Sequence, residues 1–472
     1  MKAFIQEYWK FIVPFLLGFI LFQLQVPQGM PVKAWHLFSI FLPTVLAIIL
    51  APLPMGGVAI MSLLACILTG TLDFKTQALT GFSNTTPWMV LSVFFIARAF
   101  VKTNLGNRLA YYFVKIMGKS TLGLAYGLSC TEVILAPFIP SNAARAGGIM
   151  LPIVKSISQA LGSDPQDNTQ RHLGSYLFFN SFNTNLITSA MFLTAVAVNP
   201  IIQDVALSHG FKITWLSWFY ATSVPCFACL LLLPLVLYFI YPPEKKELHG
   251  AQNLAKQTLE EMGSFSTQEW IMIATFSVML FLWTAGEMLW QIHPAVSGLL
   301  GVSILLVTKV LSFDDVLNEG AAWHTFLWLS ILVMMSTYLS EFGFIAWFSA
   351  NIQALIQGYS CMTTLLLCVV VFYYSHYLFA SQVAHTSALY AGILSVALAC
   401  GAPPAISIMA LAVTASLSSV TTHYGTAAAP VLFGAKYVSV ADWWRTGLFV
   451  SFLHFAIFIV IGGFWWKIIK LW

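Results

Sequence analysis

The chain is 472 residues long, 59% apolar and only 8% charged, with a formal net charge of +4. Soluble proteins carry about 25% charged residues, so the composition excludes a water-soluble globular domain and names lipid as the solvent. The small basic excess fits cytoplasmic loops of a membrane protein and gives no reason to expect nucleic acid as a partner.

Between Phe342 and Ala435 there is no Lys, Arg, Asp or Glu, and residues 34–72, 173–203 and 213–243 are also uncharged. Each run exceeds the roughly 20 residues that one spanning helix needs. The expectation is an all-α polytopic membrane protein with about 11 spanning helices. The N-terminus carries Lys2 and Lys10, but no small-residue cleavage site precedes Pro27, so it reads as a retained span.

In chain order, residues 11–26, 34–51, 55–72 and 87–101 read as spans. Residues 106–118, flanked by glycines, mix aromatics with basic residues and suit a helix lying in the membrane interface. Lys102, Arg108, Lys115 and Lys119 put it on the cytoplasmic side. Next comes Ile-Pro-Ser-Asn-Ala-Ala-Arg-Ala-Gly-Gly from Ile139. Pro137 and Pro140 break any helix there, and Ser141 or Asn142 can cap a new one. A helix restarted inside the bilayer presents N–H groups to an anion.

Residues 175–198 form an apolar stretch studded with Asn180, Ser181, Asn183, Thr184, Asn185, Thr188 and Ser189. That much amide and hydroxyl suits a cavity wall. Residues 213–241 close the first half. Cys226 and Cys229 lie within them and lack any strand context, so they read as filler.

The second half repeats the plan. Residues 270–286, 296–310 and 326–340 read as spans, and 343–358 match the interfacial helix without its basic residues. This charge asymmetry argues for inverted repeats. Ser381-Gln382 falls 240 positions after Ser141-Asn142. On an offset of 238, Thr426 meets Thr188, while Thr421 and His423 meet Asn183 and Asn185. The expected organisation is N-terminal spans in 1–52, a first inverted repeat in 53–242 with a hairpin near 121–160, a hydrophilic linker in 243–268, and a second repeat in 269–472 with a hairpin near 361–398.

Four polar clusters therefore carry the chemistry: Ser141-Asn142, Asn180 to Ser189, Ser381 to Ser387 and Ser418 to Thr426. Broken-helix ends bind carboxylates through peptide dipoles, and unwound carbonyls with Asn and Ser side chains can hold Na⁺. The expected substrate contacts are Ser141, Asn142, Ala143, Arg145, Thr188, Ser189, Ser381, Gln382, His385, His423 and Thr426. If Na⁺ couples transport, the expected ligands are Ser141, Asn142, Asn183, Asn185, Ser381, Gln382 and Thr421. No other cofactor is expected. The bland alternative is that the serines only cap helices and the asparagines only join them. Arg145 sits at the unfavourable end of a helix dipole, so it needs a counter-charge from substrate, Glu132 or a lipid phosphate. Arg98 and Glu132 are a second candidate pair within spans. No HExxH, GxSxG or paired-carboxylate spacing points to a membrane-embedded enzyme.

Four stretches resemble the divalent anion–sodium symporter family, in its 2-oxoglutarate/malate translocator and citrate/succinate antiporter branch. They are Pro-Trp-Met-Val-Leu-Ser-Val-Phe-Phe-Ile-Ala-Arg from Pro87, Ser-Asn-Ala-Ala-Arg-Ala-Gly-Gly from Ser141, Asn-Leu-Ile-Thr-Ser-Ala-Met-Phe-Leu-Thr from Asn185, and Thr-Thr-His-Tyr-Gly-Thr-Ala-Ala-Ala-Pro from Thr421. The resemblance implies a homodimeric, multi-pass inner-membrane transporter of small dicarboxylates. It also implies a scaffold domain and a moving transport domain that carries two re-entrant hairpins. The family's Ser-Asn-Thr hairpin tips fall on Ser141-Asn142-Ala143 and Ser381-Gln382-Val383. Both lack the third hydroxyl, and Gln382 replaces the shorter amide. These departures, with the branch, favour dicarboxylate exchange; Na⁺-coupled uptake of a di- or tricarboxylate, or of sulfate, is the alternative.

Overall fold

The structure is a computed structural model that describes residues 2–248, 250–355 and 360–472. The described residues are helical throughout, apart from turns and one isolated bridge between Ser120 and Glu247. Ten of their helices are long and apolar enough to cross a membrane. Thr121–Phe138, Cys361–Leu378 and Gln382–Ala399 are hairpin arms, which leaves seven. Three shorter apolar helices, Tyr8–Gln23, Met55–Leu68 and Pro294–Val307, and the polar helix Gly174–Met191 bring the total to the expected eleven. This is an integral, multi-pass membrane protein.

The two hairpins are built alike. Ser120 caps Thr121–Leu135 through the Gly123 amide, and Ser360 caps Cys361–Ser375 through the Thr363 amide. Each helix tightens into a 3₁₀ turn, Ala136–Phe138 or His376–Leu378. The chain then extends and restarts at Asn142 or Gln382, capped by Ser141 or Ser381 on the Ala144 or Ala384 amide. Every one of these landmarks recurs 240 positions on. The interfacial helices appear as Leu105–Met117 and Phe344–Leu355. The predicted end of the second, at 358, lies outside the described residues. The linker contains the helix Ala251–Met262.

The chain packs as two compact units. One comprises Met1–Leu91, Pro200–Ile213 and Gly320–Leu411; the other comprises Ser92–Asn199, Thr214–Glu319 and Ala412–Trp472. Each draws on both halves, so packing and repeat order divide the chain differently. The first hairpin belongs to the second unit and the other hairpin to the first unit.

In the first unit, Gly81 lies so close to Ser330 that a Cβ would collide with its carbonyl. The His324 Nε2 accepts the Gly56 amide at 3.0 Å, and Thr44 donates to Ser62 at 2.7 Å. In the second unit, Gly447 likewise leaves no room for a Cβ beside the Val420 carbonyl. Arg108, expected to mark the aqueous face, is instead buried. Its Nε meets Glu269 Oε1 at 2.5 Å, and its Nη atoms donate to the Met262 and Gly263 carbonyls. It clamps the linker to the interfacial helix, while Lys102, Lys115 and Lys119 stay exposed. Arg98 does not pair with Glu132; its Nη2 lies 3.9 Å from Asp315.

Asp315 also accepts from Lys102 Nζ at 2.6 Å and from the Ser312 amide. Those bonds, Lys102 foremost, pull its carboxyl down to about 2. A depressed carboxyl adds stability above its ordinary value, here 3.8, and loses it as pH falls through about 2. The melting-temperature gap between wild type and Asp315→Asn should therefore be full at neutral pH and close on acidification from about 4 to about 2.

Candidate functional site

The densest polar cluster lies in the second unit, where two chain breaks meet. The first is the hairpin tip at 136–141. The second interrupts the polar segment that the sequence reads as one span. Gly174–Met191 stops, a 3₁₀ turn covers Leu193–Ala195, and Val198–Ser208 begins anew. Phe192 to Ala197 contains no Pro or Gly, so no local signal ends the helix.

Tertiary donors end it instead. A helix terminus leaves its last carbonyls without amide partners, and here side chains replace them. Asn199 Nδ2 donates to the Ser189 and Phe192 carbonyls at 2.8 and 2.9 Å. Trp218 Nε1 takes the Ala190 carbonyl at 3.0 Å, and Thr222 takes that of Met191 at 2.7 Å. Thr194 Oγ1 crosses to the Pro137 carbonyl at 2.6 Å and so ties this break to the first.

Arg145 is the main tie. Its Nη1 donates to the Ile139 carbonyl at 2.5 Å and to the Ala195 carbonyl at 2.6 Å, one in each break. Nη2 donates to Ser189 Oγ at 2.8 Å, and Nε meets Glu132 Oε1 at 2.7 Å. Both members of the ion pair are 0% exposed. Of the three counter-charges the sequence left open, Glu132 is the one in place. Asn185 Nδ2 completes the set, 2.7 Å from Glu132 Oε1 and 3.2 Å from the Asn142 carbonyl. Thr188 and Ser189 are fully buried, and both hydroxyls turn back onto the Asn185 carbonyl.

The accessible rim is made of other residues. Ser141, Ala143, Ala144 and Gly147 are half-buried, Gly148 is exposed, and open space lies over Gly148. They form the first turns of a helical rod that runs from Asn142 to Ala160 through a π turn at Ala146–Met150. The small side chains let a ligand approach the backbone, and the N-terminal amides supply partial positive charge. Asn142 Nδ2 donates to Thr426 Oγ1 at 2.6 Å, which joins the tip to the loop after Pro404–Leu417. On that loop His423 and Tyr424 are half-buried; His423 Nδ1 accepts from Trp444 Nε1 at 3.0 Å. Thr421 is buried and bonds the Ser418 carbonyl.

This loop is the second copy of the break, but in a different register from the predicted one. The helices end at Met191 and Leu417, and the extended residues after the 3₁₀ turns are Val196 and Thr422. Both pairs are 226 positions apart. The 238 offset is therefore wrong: Asn183, Asn185 and Thr188 sit within a helix, whereas Thr421, His423 and Thr426 flank an interruption. Asn183 Nδ2 bonds the Phe179 carbonyl. The oxygens Asn183 Oδ1, Asn185 Oδ1, Glu132 Oε2 and Thr422 Oγ1 are buried and accept or make no hydrogen bond.

Ser381, Gln382 and His385 belong to the first unit. His385, four residues after its cap as Arg145 is after Ser141, turns back into its own hairpin. Its Nε2 lies 2.9 Å from Ser375 Oγ, and its ring stacks on Phe372 with centroids 4.4 Å apart. Residues missed by sequence reasoning are the carbonyls of Ile139 and Ala195, and the donors Asn199, Trp218 and Thr222. The one available signal was that Glu132 and Arg145 are lone opposite charges in apolar sequence.

The model of the sodium:sulfate symporter transmembrane region matches residues 5–472. YflS of Bacillus subtilis (strain 168), whose name ties it to malate transport, is 44% identical over 98% of this chain and 97% of its own. The chloroplastic dicarboxylate transporter 1 of Spinacia oleracea is 43% identical over 97% of this chain and 80% of its own. The citrate/succinate antiporter of Escherichia coli (strain K12) is 32% identical over 98% of both chains. The solved YdaH transporter of Alcanivorax borkumensis has a similar fold, with a TM-score of 0.56 at 12% identity, covering 84% of this chain and 87% of that one.

Removing one member of a buried ion pair costs about 3–5 kcal/mol, whereas an apolar replacement of both costs far less. Arg145→Met and Glu132→Leu should each lower thermal stability sharply in detergent, and the double variant should recover only the part due to the unpaired charge, because the Ile139 and Ala195 carbonyls still lose their donor.

Proposed function

Because this chain belongs to the sodium:sulfate symporter family, we propose that it is a secondary transporter that exchanges small dicarboxylates across the membrane. The observation that carries this reading is the hairpin tip. Arg145, the cation beside it, is committed to Glu132 and two carbonyls, which leaves helix-end amides, Ser141 and the Asn142–Thr426 pair to hold an anion. Such a site suits a dianion that must also be released. The names of the relatives, malate, dicarboxylate and citrate/succinate, supply the substrate class.

Energetics favours exchange. Importing a dianion against 100 mV, inside negative, costs about 4.6 kcal/mol. A departing dianion cancels that charge movement without any cation. In the elevator-like alternating-access cycle, the anion travels with the segment that binds it, and the protein works as a homodimer. The second reading is Na⁺ coupling, favoured by the buried oxygens of Asn183, Asn185 and Glu132 that make no hydrogen bond.

Purified protein in liposomes should take up labelled malate or 2-oxoglutarate only when the vesicles are preloaded with dicarboxylate, and should do so without Na⁺. Strong uptake into empty vesicles driven by a Na⁺ gradient would establish the symport reading instead, and competition by sulfate would widen the substrate class. Thr426→Val removes the acceptor of the Asn142 amide. It should slow exchange about tenfold, the equivalent of 1.4 kcal/mol, while lowering the melting temperature less than Arg145→Met does.

A further inference from the structure

Cys361 opens the first arm of the second hairpin, and Cys400 caps the end of the other arm. They are 39 positions apart in sequence yet adjacent in space. The Cys361 Sγ meets the Cys400 carbonyl, and the Cys400 Sγ lies 3.7 Å from the Cys361 carbonyl. A Cβ built on Gly401 would lie 3.6 Å from the Cys361 Sγ, which places that sulfur against the backbone just after Cys400. Both residues are half-buried free thiols, whereas Cys66, Cys226, Cys229 and Cys368 are buried.

We propose that Cys361 and Cys400 form a modification site: a vicinal dithiol that a small-molecule disulfide oxidises to an intramolecular bridge across the base of this hairpin. The reciprocal sulfur–carbonyl contacts set the two cysteine backbones side by side, the proximity on which a disulfide depends. The position also supplies access, because both ends of a re-entrant hairpin return to the same aqueous face. Cys368, buried deeper in the first arm, lacks that access.

The chemistry balances as two exchange steps. One cysteine thiolate attacks the small disulfide and forms a mixed disulfide, and one small thiolate leaves. The second cysteine thiolate attacks the protein sulfur of that mixed disulfide, and the second small thiolate leaves. The protein loses two electrons and two protons; the oxidant gains both as two thiols. The bridge closes a loop that contains Ser381, Gln382 and His385, so it fixes the hairpin without touching its tip.

The test uses the full-length protein in nanodiscs, reduced, then treated with oxidised glutathione, alkylated, digested and analysed by mass spectrometry. A Cys361–Cys400 cross-linked peptide should appear, disappear on adding dithiothreitol, and be absent from Cys361→Ser and Cys400→Ser. Cys130, also half-buried, serves as the comparison and should carry only alkyl or glutathione. Full alkylation of both cysteines after oxidation would overturn the proposal. So would a stable glutathione adduct on one of them with the other free, or a bridge between two chains. The readout is independent of transport, so it stands whichever substrate the protein carries.

Discussion

A backbone interrupted inside lipid must find new partners for its peptide groups, because an unpaired carbonyl or amide there costs several kcal/mol. In the second unit one guanidinium meets much of that need. Arg145 takes the Ile139 carbonyl from one break and the Ala195 carbonyl from the other, and Glu132 neutralises its charge. Asn199, Trp218 and Thr222 cover the remaining carbonyls at the end of Gly174–Met191. The breaks are therefore held structures, tied from behind by Arg145, Asn199, Trp218 and Thr222. A cation that first suggests a carboxylate-binding role works here as a strut, so the proposed anion site relies on dipoles and neutral side chains.

The second hairpin solves the same problem with other chemistry. Position by position, 240 residues on, Arg145 becomes His385 and Glu132 becomes Phe372. The ion pair is replaced by a ring stack, and the guanidinium–carbonyl contacts by one bond from the imidazole to Ser375. The strut four residues past the cap is retained while its charge is not. A buried ion pair gives geometric specificity at a desolvation cost. A stacked histidine and phenylalanine avoid that cost but fix fewer partners. The first tip has two interruptions to tie together, and the forked, five-donor side chain suits that task.

Much of the fold could be read from the chain itself, because lipid imposes simple rules. Uncharged runs gave the spans, and Pro137, Pro140, Ser141 and Ser381 gave the hairpin breaks, because proline and capping residues act locally. The break after Met191 was illegible for the opposite reason: no proline or glycine lies between Phe192 and Ala197, and two of the three donors that stop it, Trp218 and Thr222, lie 28 and 31 positions from the carbonyls they take. The same gap misled the pairing of Asn183, Asn185 and Thr188 with residues of the second half. Arg108 was misjudged because a basic residue in an amphipathic helix normally faces headgroups. Its burial depends on Glu269 and the linker carbonyls, far away in sequence. At the candidate site, residue types pointed to the right neighbourhood. Which of them line the rim and which brace it from behind was a matter of packing alone.

The most direct test of the strut is amide hydrogen exchange, measured by mass spectrometry on wild type and Arg145→Lys, since lysine keeps the charge but cannot reach both carbonyls and Glu132 in one fork. Peptides covering 136–144 and 192–198 should lose protection together, while those covering 376–386 in the other hairpin remain as in wild type. Unchanged protection at 192–198 in the variant would contradict the account, because it would mean that the second break holds its shape without the guanidinium.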